Sequence, residues 1–306
     1  MKSIDYIPPE GLLHALDGAR SLGQPLLLTG EPGTGKTSLA DWAVAYLNAH
    51  TEKDFYPETL RFQTKTTSIA RDLFYQYDAL SHYQAVNLSK TGEGPESFIE
   101  LQALGRAIAM TNPSDEYPAF FRTKIQPVAQ NSVVLIDEID KAPRDFTNDI
   151  LDEIDQKRFS IKEKNQTISK GEEGEIVIIM TSNSEKNLPD AFLRRCAFFH
   201  IEFPKGERLR QIVKRHLGED HPYTGDAYDR LIALFTDIRG GAERKKPATA
   251  ELIGWLRILA MKDYLNLDGA DKKTMLKHNL SFLIKTESDL KAAQAWLEGK
   301  KISEMP

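Results

Sequence analysis

Eight consecutive residues, Gly30-Glu31-Pro32-Gly33-Thr34-Gly35-Lys36-Thr37, have the types and spacing to hold a polyphosphate. A chain wrapped around phosphate oxygens must turn several backbone N–H groups inward, and residues without a Cβ permit that. Gly30, Gly33 and Gly35 supply the freedom. Lys36 is then the cation for the β- and γ-phosphates, Thr37 carries a hydroxyl for a magnesium ion, and Ser38 closes the segment expected to touch nucleotide. The apolar run Leu26-Leu27-Leu28-Thr29 precedes the loop, and the helical stripe Leu39, Ala43, Val44, Leu47 follows it. The loop therefore reads as a strand-to-helix turn, with the positive end of the helix facing the anion.

A second group stands about a hundred residues on. Val133-Val134-Leu135-Ile136 is an apolar strand ending in Asp137-Glu138. In an open α/β sheet, ligands bind beyond the carboxyl ends of the strands, where the phosphate-binding loop also opens. Asp137 is expected to hold magnesium through its water shell, and Glu138 to orient and polarise an attacking water. That glutamate favours turnover over a binding-only switch, and the absence of an Asn-Lys-x-Asp pattern favours ATP over GTP.

The elements that must position these groups are legible as strand-like runs at Pro25 to Thr29, Thr59 to Thr64, Ser132 to Ile136, Glu175 to Thr181 and Ala197 to Phe203. Longer helix-like segments separate them, a pattern that predicts an α/β fold with a parallel five-stranded sheet flanked by helices. A stripe of Ile99, Leu101, Leu104 and Ile108 predicts one covering helix. From residue 204 onward the periodicities around Leu209 to Leu217, Tyr228 to Ile238 and Ala250 to Leu265 follow one another without a strand. The chain is accordingly divided into an α/β nucleotide-binding domain over 1–203 and a small helical lid over 204–306. Ser288 with Asp289 marks the start of a last helix, Leu290 to Leu297, in which Trp296 is expected in the core.

Composition narrows the function classes. A length of 306 residues with 41% hydrophobic content suits one large and one smaller domain. With 40 basic against 45 acidic residues, no overall positive field draws the molecule to nucleic acid or an anionic membrane. No apolar stretch approaches the ~20 residues of a membrane-spanning helix. The lone Cys196 allows no intramolecular disulfide, and Met1 to Gly11 lacks the pattern of a signal peptide, so cytoplasmic residence without membrane attachment is expected. The seven histidines are scattered, leaving magnesium on the nucleotide as the one metal implied. His200, inside Phe198-Phe199-His200-Ile201, reads as an edge-facing strand residue.

Taken in order along the chain, these motifs resemble the AAA+ class of P-loop NTPases, over about Pro9 to Leu265. Ile176-Val177-Ile178-Ile179-Met180 running into Thr181-Ser182-Asn183 resembles the sensor-one strand, which would make Asn183 the amide that holds water against the γ-phosphate. Asn187-Leu188-Pro189-Asp190-Ala191-Phe192-Leu193-Arg194-Arg195-Cys196 is similar to the helix bearing the arginine finger in MoxR-type proteins. It places the finger at Arg195, with Arg194 as the alternative. A finger acting on a neighbour's nucleotide implies a homo-oligomeric ring, usually a hexamer.

Two further stretches resemble MoxR-type inserts: Gln63-Thr64-Lys65-Thr66-Thr67 with Ala70 to Asp78, and a hairpin pairing Arg158-Phe159-Ser160-Ile161 with Gln166-Thr167-Ile168-Ser169. The resemblance puts both on the ring's central face. Leu73, Phe74, Tyr75 and Tyr77 read as packing residues, and Lys162-Glu163-Lys164 as a solvated loop. The sequence departs from the family at Lys245-Lys246-Pro247-Ala248, where no sensor-two arginine begins the helix and Arg244, Lys245 or Lys246 substitutes only loosely.

The resemblance implies an ATPase that remodels or activates a partner protein, often one with a von Willebrand A domain. Two other readings compete: a nucleic-acid-translocating motor of a restriction or defence system, and a nucleotide-gated scaffold. Stimulation of hydrolysis by DNA or RNA, or by protein, separates the first two.

Overall fold

The structure is a computed structural model that describes residues 6–88, 94–112, 126, 128–183, 187–218, 221–223 and 225–306. Its chain forms two compact units: the described part of Met1–Gly30 with Gly35–Ile201, and Glu31–Thr34 with Glu202–Pro306.

The first unit is built on five parallel strands, β1 (Leu26–Gly30), β2 (Leu60–Gln63), β5 (Ser132–Asp137), β8 (Ile176–Ser182) and β9 (Ala197–Ile201), in the order β2-β5-β8-β1-β9. Each predicted strand is present within two residues of its expected ends. Strands β1, β5 and β8 are almost continuously apolar because both faces of the sheet are covered. Alternate side chains divide between two cores. Leu27, Phe62, Val134, Ile136, Ile178 and Met180 face one of them, and Leu26, Leu28, Val133, Leu135, Val177 and Ile179 face the other.

Helices α1 (Leu12–Leu22) and α2 (Lys36–His50) lie on the second of these cores, where Leu39, Ala43, Val44 and Leu47 form the predicted stripe. The other stripe needs correction. Ile99 and Leu101 belong to a short strand, β4 (Ile99–Leu101), antiparallel to β3 (Tyr75–Tyr77), and the helix α4 (Ala103–Thr111) begins only after it. Ile99 and Leu101 flank the exposed Glu100, so they alternate as a strand does, whereas Leu104 and Ile108 stand one helical turn apart. All four side chains nevertheless enter the same core. Helix α3 (Ala79–Leu88) lies between β3 and β4.

The two inserts are bound to each other. Strands β6 (Arg158–Ile161) and β7 (Gln166–Ser169) pair antiparallel in the expected hairpin, Phe159 opposite Ile168. Phe74 stacks on Phe159 with ring centroids 5.3 Å apart. Leu73, Phe74 and Tyr75 are buried, as their reading as packing residues anticipates. The Lys162–Lys164 turn is not freely solvated: the Tyr75 hydroxyl donates to Glu163 Oε2 at 2.7 Å, and Lys164 pairs with Glu96 at 3.4 Å. Burial pushes the Tyr75 hydroxyl up to about 12, so it remains a donor to that carboxylate.

The second unit is helical. It contains α8 (Gly206–Leu217), α9 (Gly225–Gly241), α10 (Thr249–Met261), α11 (Gly269–Leu283) and α12 (Glu287–Gly299), after the short helices α5 (Arg144–Asp149), α6 (Leu151–Gln156) and α7 (Asp190–Leu193) of the first unit. Leu209, Leu231, Phe235, Leu252, Trp255, Leu256, Leu276 and Leu280 make its core. The stripe drawn to Leu265 ends early, because Asp263 turns to φ 54° and Leu265 falls in a separate short turn. Trp296 is not a core residue: it is 38% exposed, and the Lys300 ammonium lies 4.4 Å from its ring centroid.

The last helix also starts differently. Its N-cap is Thr286, which accepts from the Asp289 N–H while its hydroxyl donates to the Asp289 carboxylate. That carboxylate also accepts the backbone N–H groups of Glu243, Arg244 and Lys245 and so folds the basic loop ahead of α10. The Thr286 hydroxyl, and then these N–H groups against the opposing effect of burial, hold the Asp289 carboxyl down at about 2. A depressed carboxyl stabilises the fold above its usual pKa, and that contribution is lost as pH falls through the folded value. The Asp289→Asn variant should melt below the native protein at pH 7. The gap should close as pH falls from 3.8 toward about 2, as followed by tryptophan fluorescence.

Candidate nucleotide site

Strand register assembles the site. Gln63 lies opposite Asp137, Ile136 opposite Met180, and Leu28 opposite Thr181, so the carboxyl ends of four parallel strands converge at one edge of the sheet. There β1 passes into the glycine loop. Gly35, at φ 88°, and Gly30, at φ 146°, hold backbone conformations that a side chain resists. Lys36 is buried, and its ammonium donates to the Gly30 carbonyl at 2.7 Å, so the cation sits inside the loop's own curve. Thr37 and Ser38 are exposed on the first turn of α2.

At the loop's tip, the Thr34 hydroxyl donates to the Glu31 carbonyl at 2.8 Å. Glu31, Pro32, Gly33 and Thr34 group with the helical unit, in which Arg239 donates to the Glu31 carboxylate and to the Pro247 carbonyl. The side chains of Arg244, Lys245 and Lys246 are exposed.

The Thr37 hydroxyl lies 3.2 Å from both Asp137 carboxylate oxygens. This pairing of a hydroxyl with a hard, anionic oxygen donor is the chemistry magnesium requires, and the residues fit that ion. Beside it, Glu138 adopts φ 56°, ψ 49°, a left-handed conformation that costs a residue with a Cβ roughly 1 kcal/mol or more. The Thr181 hydroxyl sustains that turn: it accepts from the Glu138 N–H at 2.9 Å and donates to Asp137 Oδ1. Glu138 Oε2 then receives Gln63 Nε2 at 2.7 Å and Lys141 Nζ at 2.6 Å, and Oε1 faces Asn183 Nδ2 at 3.5 Å. The Asn183 N–H is in turn fixed by the buried Asp140 carboxylate at 3.3 Å.

The structure thus brings Lys36, Thr37, Asp137, Glu138 and Asn183 to one edge. It places Arg195 elsewhere: the side chain is exposed, with Nε on Asp155 at 2.6 Å and Nη1 on the Ala191 carbonyl at 2.9 Å. Arg194 is also exposed, and among the described residues its side chain has no hydrogen-bond or ion-pair partner. Next to them burial, followed by the Asp155 charge, pushes the Cys196 thiol up to about 12, which leaves it unreactive at neutral pH. His200 lies on the edge strand β9, its Nδ1 3.0 Å from the Thr29 hydroxyl.

Sequence reasoning overlooked Gln63, Lys141 and Thr181 as parts of the site. Thr181 and Gln63 carry a usable signal, since each stands at or next to the carboxyl end of a predicted parallel strand, at the edge where the loop opens. Lys141 carries none beyond standing three residues after Glu138 on a tight turn.

Residues 25–196, more than half of the chain, match the family described as AAA domain (dynein-related subfamily), and the protein belongs to that family. It is an AAA+ domain with the P-loop NTPase fold, of a class that uses nucleotide and hydrolyses it. No curated protein matches the sequence. Among solved structures, the chain is similar to domain III of the Thermotoga maritima replication initiation protein DnaA, at 14% identity over 93% of this chain and 97% of that one, with a TM-score of 0.45. No helix among the described residues is long and apolar enough to cross a membrane.

At Gly35 an added Cβ would lie 3.0 Å from Tyr6 Cε2, on a backbone already at positive φ. Gly35→Ala should therefore weaken nucleotide binding by roughly tenfold or more, read by titration with a fluorescent ATP analogue, and should cost about 1–2 kcal/mol of stability.

Proposed function

We propose that the chain is a MoxR-like AAA+ motor that hydrolyses ATP with magnesium in an oligomeric ring, of six subunits by family habit, and uses the cycle to remodel or activate a partner protein. The observation that carries this reading is the Glu138 carboxylate. It is held by Gln63, Lys141 and Asn183 next to an aspartate that accepts the Thr37 hydroxyl of the phosphate loop. A binding-only protein has no need of a second, conformationally costly carboxylate at that point.

In this reading the glycine loop from Gly30 to Thr37 cradles the phosphates, and Lys36 exchanges its Gly30 carbonyl for phosphate oxygens. Thr37 and Asp137 hold the magnesium, which neutralises charge on the phosphates. Glu138 orients the attacking water and accepts its proton, and Asn183 fixes that water toward the γ-phosphate. The segment from 204 to 306 acts as the lid domain.

The finger is assigned to Arg195 of an adjacent subunit, with Arg194 as the alternative. Arg195 would leave Asp155 to reach a neighbour's nucleotide, and an exposed pair of this kind is worth only about 0–1 kcal/mol. The hairpin of β6 and β7, present where MoxR-type proteins carry theirs, supports the subfamily assignment. A partner with a von Willebrand A domain is the client class that the resemblance suggests.

Glu138→Gln should retain ATP binding while hydrolysis falls by at least about a hundredfold, the scale of losing a general base. Pull-down with that ATP-trapped variant should retain a protein client. Mixing Lys36→Ala with Arg195→Ala subunits should restore ATPase to a level neither has alone. If mixing restores nothing, and Arg194→Ala behaves the same way, the finger does not act between subunits.

A further inference from the structure

The sheet has a second charged site at the opposite end from the phosphate loop. Where α1 ends and β1 and β8 begin, a cavity of about 460 Å³ is lined by Arg20, Gly23, Lys53, Lys157, Lys170 and Glu175, with Glu172 and Glu173 on its wall. The four cations come from four separate places in the chain: the last turn of α1, the loop after α2, the residue capping α6, and the residue following β7.

The charges do not cancel. Glu175 is committed to Arg20, which donates through Nε and Nη2, and to Lys53 at 2.8 Å. Burial pushes the Glu175 carboxyl up, but these hydrogen bonds outweigh it and hold the group below the usual carboxylate range. Lys157 and Lys170 remain. The Lys157 ammonium donates to the Gly23 carbonyl at 3.0 Å and the Lys170 ammonium to the Gly171 carbonyl at 2.7 Å. Among the described residues neither has a carboxylate within ion-pair distance.

Each ammonium has three donors, so the two groups keep unused N–H capacity beside the cavity. Burial first, and then the like charge of Lys170, lower the pKa of Lys157, and together they outweigh the opposing charge of Asp155. Capping of α1 through Gly23 accounts for Lys157 in part, by the affinity of a cation for a helix C-terminus, but it does not account for Lys170.

We propose that this cavity is a binding site for a small phosphate-bearing molecule, with Lys157 and Lys170 gripping its phosphate. A phosphate offers several anionic acceptors to the free donors of two ammonium groups that have no carboxylate within ion-pair distance. The volume falls in the range of small-molecule sites and exceeds that of a bare ion, which favours a phosphomonoester. The exposed Glu172 and Glu173 repel an extended polyanion over more of its length than a compact ligand, which favours the compact ligand over a nucleic-acid strand.

The test is independent of the ATPase reading, because it is run on the full chain with its phosphate loop saturated by ADP and magnesium, or on Lys36→Ala if ADP does not bind. Calorimetric titration with glucose 6-phosphate and with inorganic phosphate should show binding in roughly the millimolar range or tighter. Lys170→Met should weaken it by roughly tenfold, Lys170→Arg should largely keep it, and Glu172→Gln with Glu173→Gln should strengthen it. Intrinsic fluorescence checks that each variant is folded, and Lys170→Met should leave ATPase unchanged. Equal affinity in the native protein and Lys170→Met, no binding of either phosphate, or equal heat from potassium chloride at matched ionic strength would overturn the site. Tighter binding of a short DNA duplex than of either phosphate would instead assign the cavity to nucleic acid.

Discussion

The site depends on the register of the parallel pairing between β1, β8 and β5. Each of these strands is anchored on both faces by apolar side chains, and a slip of one residue would exchange the two cores. Because the cores fix the register, Thr181 arrives where one hydroxyl reaches both the Asp137 carboxylate and the Glu138 N–H. The polar chemistry at the sheet's edge is thus positioned by hydrophobic packing several residues away, and the strained turn at Glu138 is tolerable because that packing over-determines it.

Much of this arrangement was legible in the sequence because it rests on local signals. A glycine loop between an apolar run and a helical stripe, and an apolar run ending in two carboxylates, each specify their own geometry within a few residues. The three central strands, buried on both faces, announce themselves as near-unbroken apolar runs, and the edge strands β2 and β9 as shorter runs whose burial alternates. What escaped was decided at long range. Ile99 and Leu101 join a strand because Tyr75 and Tyr77 are available to pair with them, a fact outside any local window. Asp289 reads as a helix-start residue, yet its carboxylate serves three N–H groups more than forty residues earlier in the chain. Trp296 fits an apolar stripe, but that stripe is narrower than it seems from spacing alone, and Lys300 covers the ring instead.

Charge shows the same contrast. The Lys162-Glu163-Lys164 run has the composition of a solvated loop, and it is tied down because the buried Tyr75 hydroxyl needs an acceptor. Lys141 likewise has the composition of a surface lysine, and its role is set by a tight turn that brings it back over Glu138. In both cases the sequence gives the group, while its partner is assigned by the tertiary fold. Gln63 differs in that it ends a recognisable parallel strand, which sets it at the sheet's carboxyl edge, and the register then places it beside Asp137.

The central claim is that the glycine loop and the carboxylate pair form one catalytic nucleotide site. Steady-state release of phosphate from ATP by the purified chain, measured over a range of protein concentrations with and without magnesium, addresses it most directly. The account predicts hydrolysis that requires magnesium and whose specific rate climbs with protein concentration as subunits assemble. Absence of phosphate release at every concentration with magnesium present would contradict it.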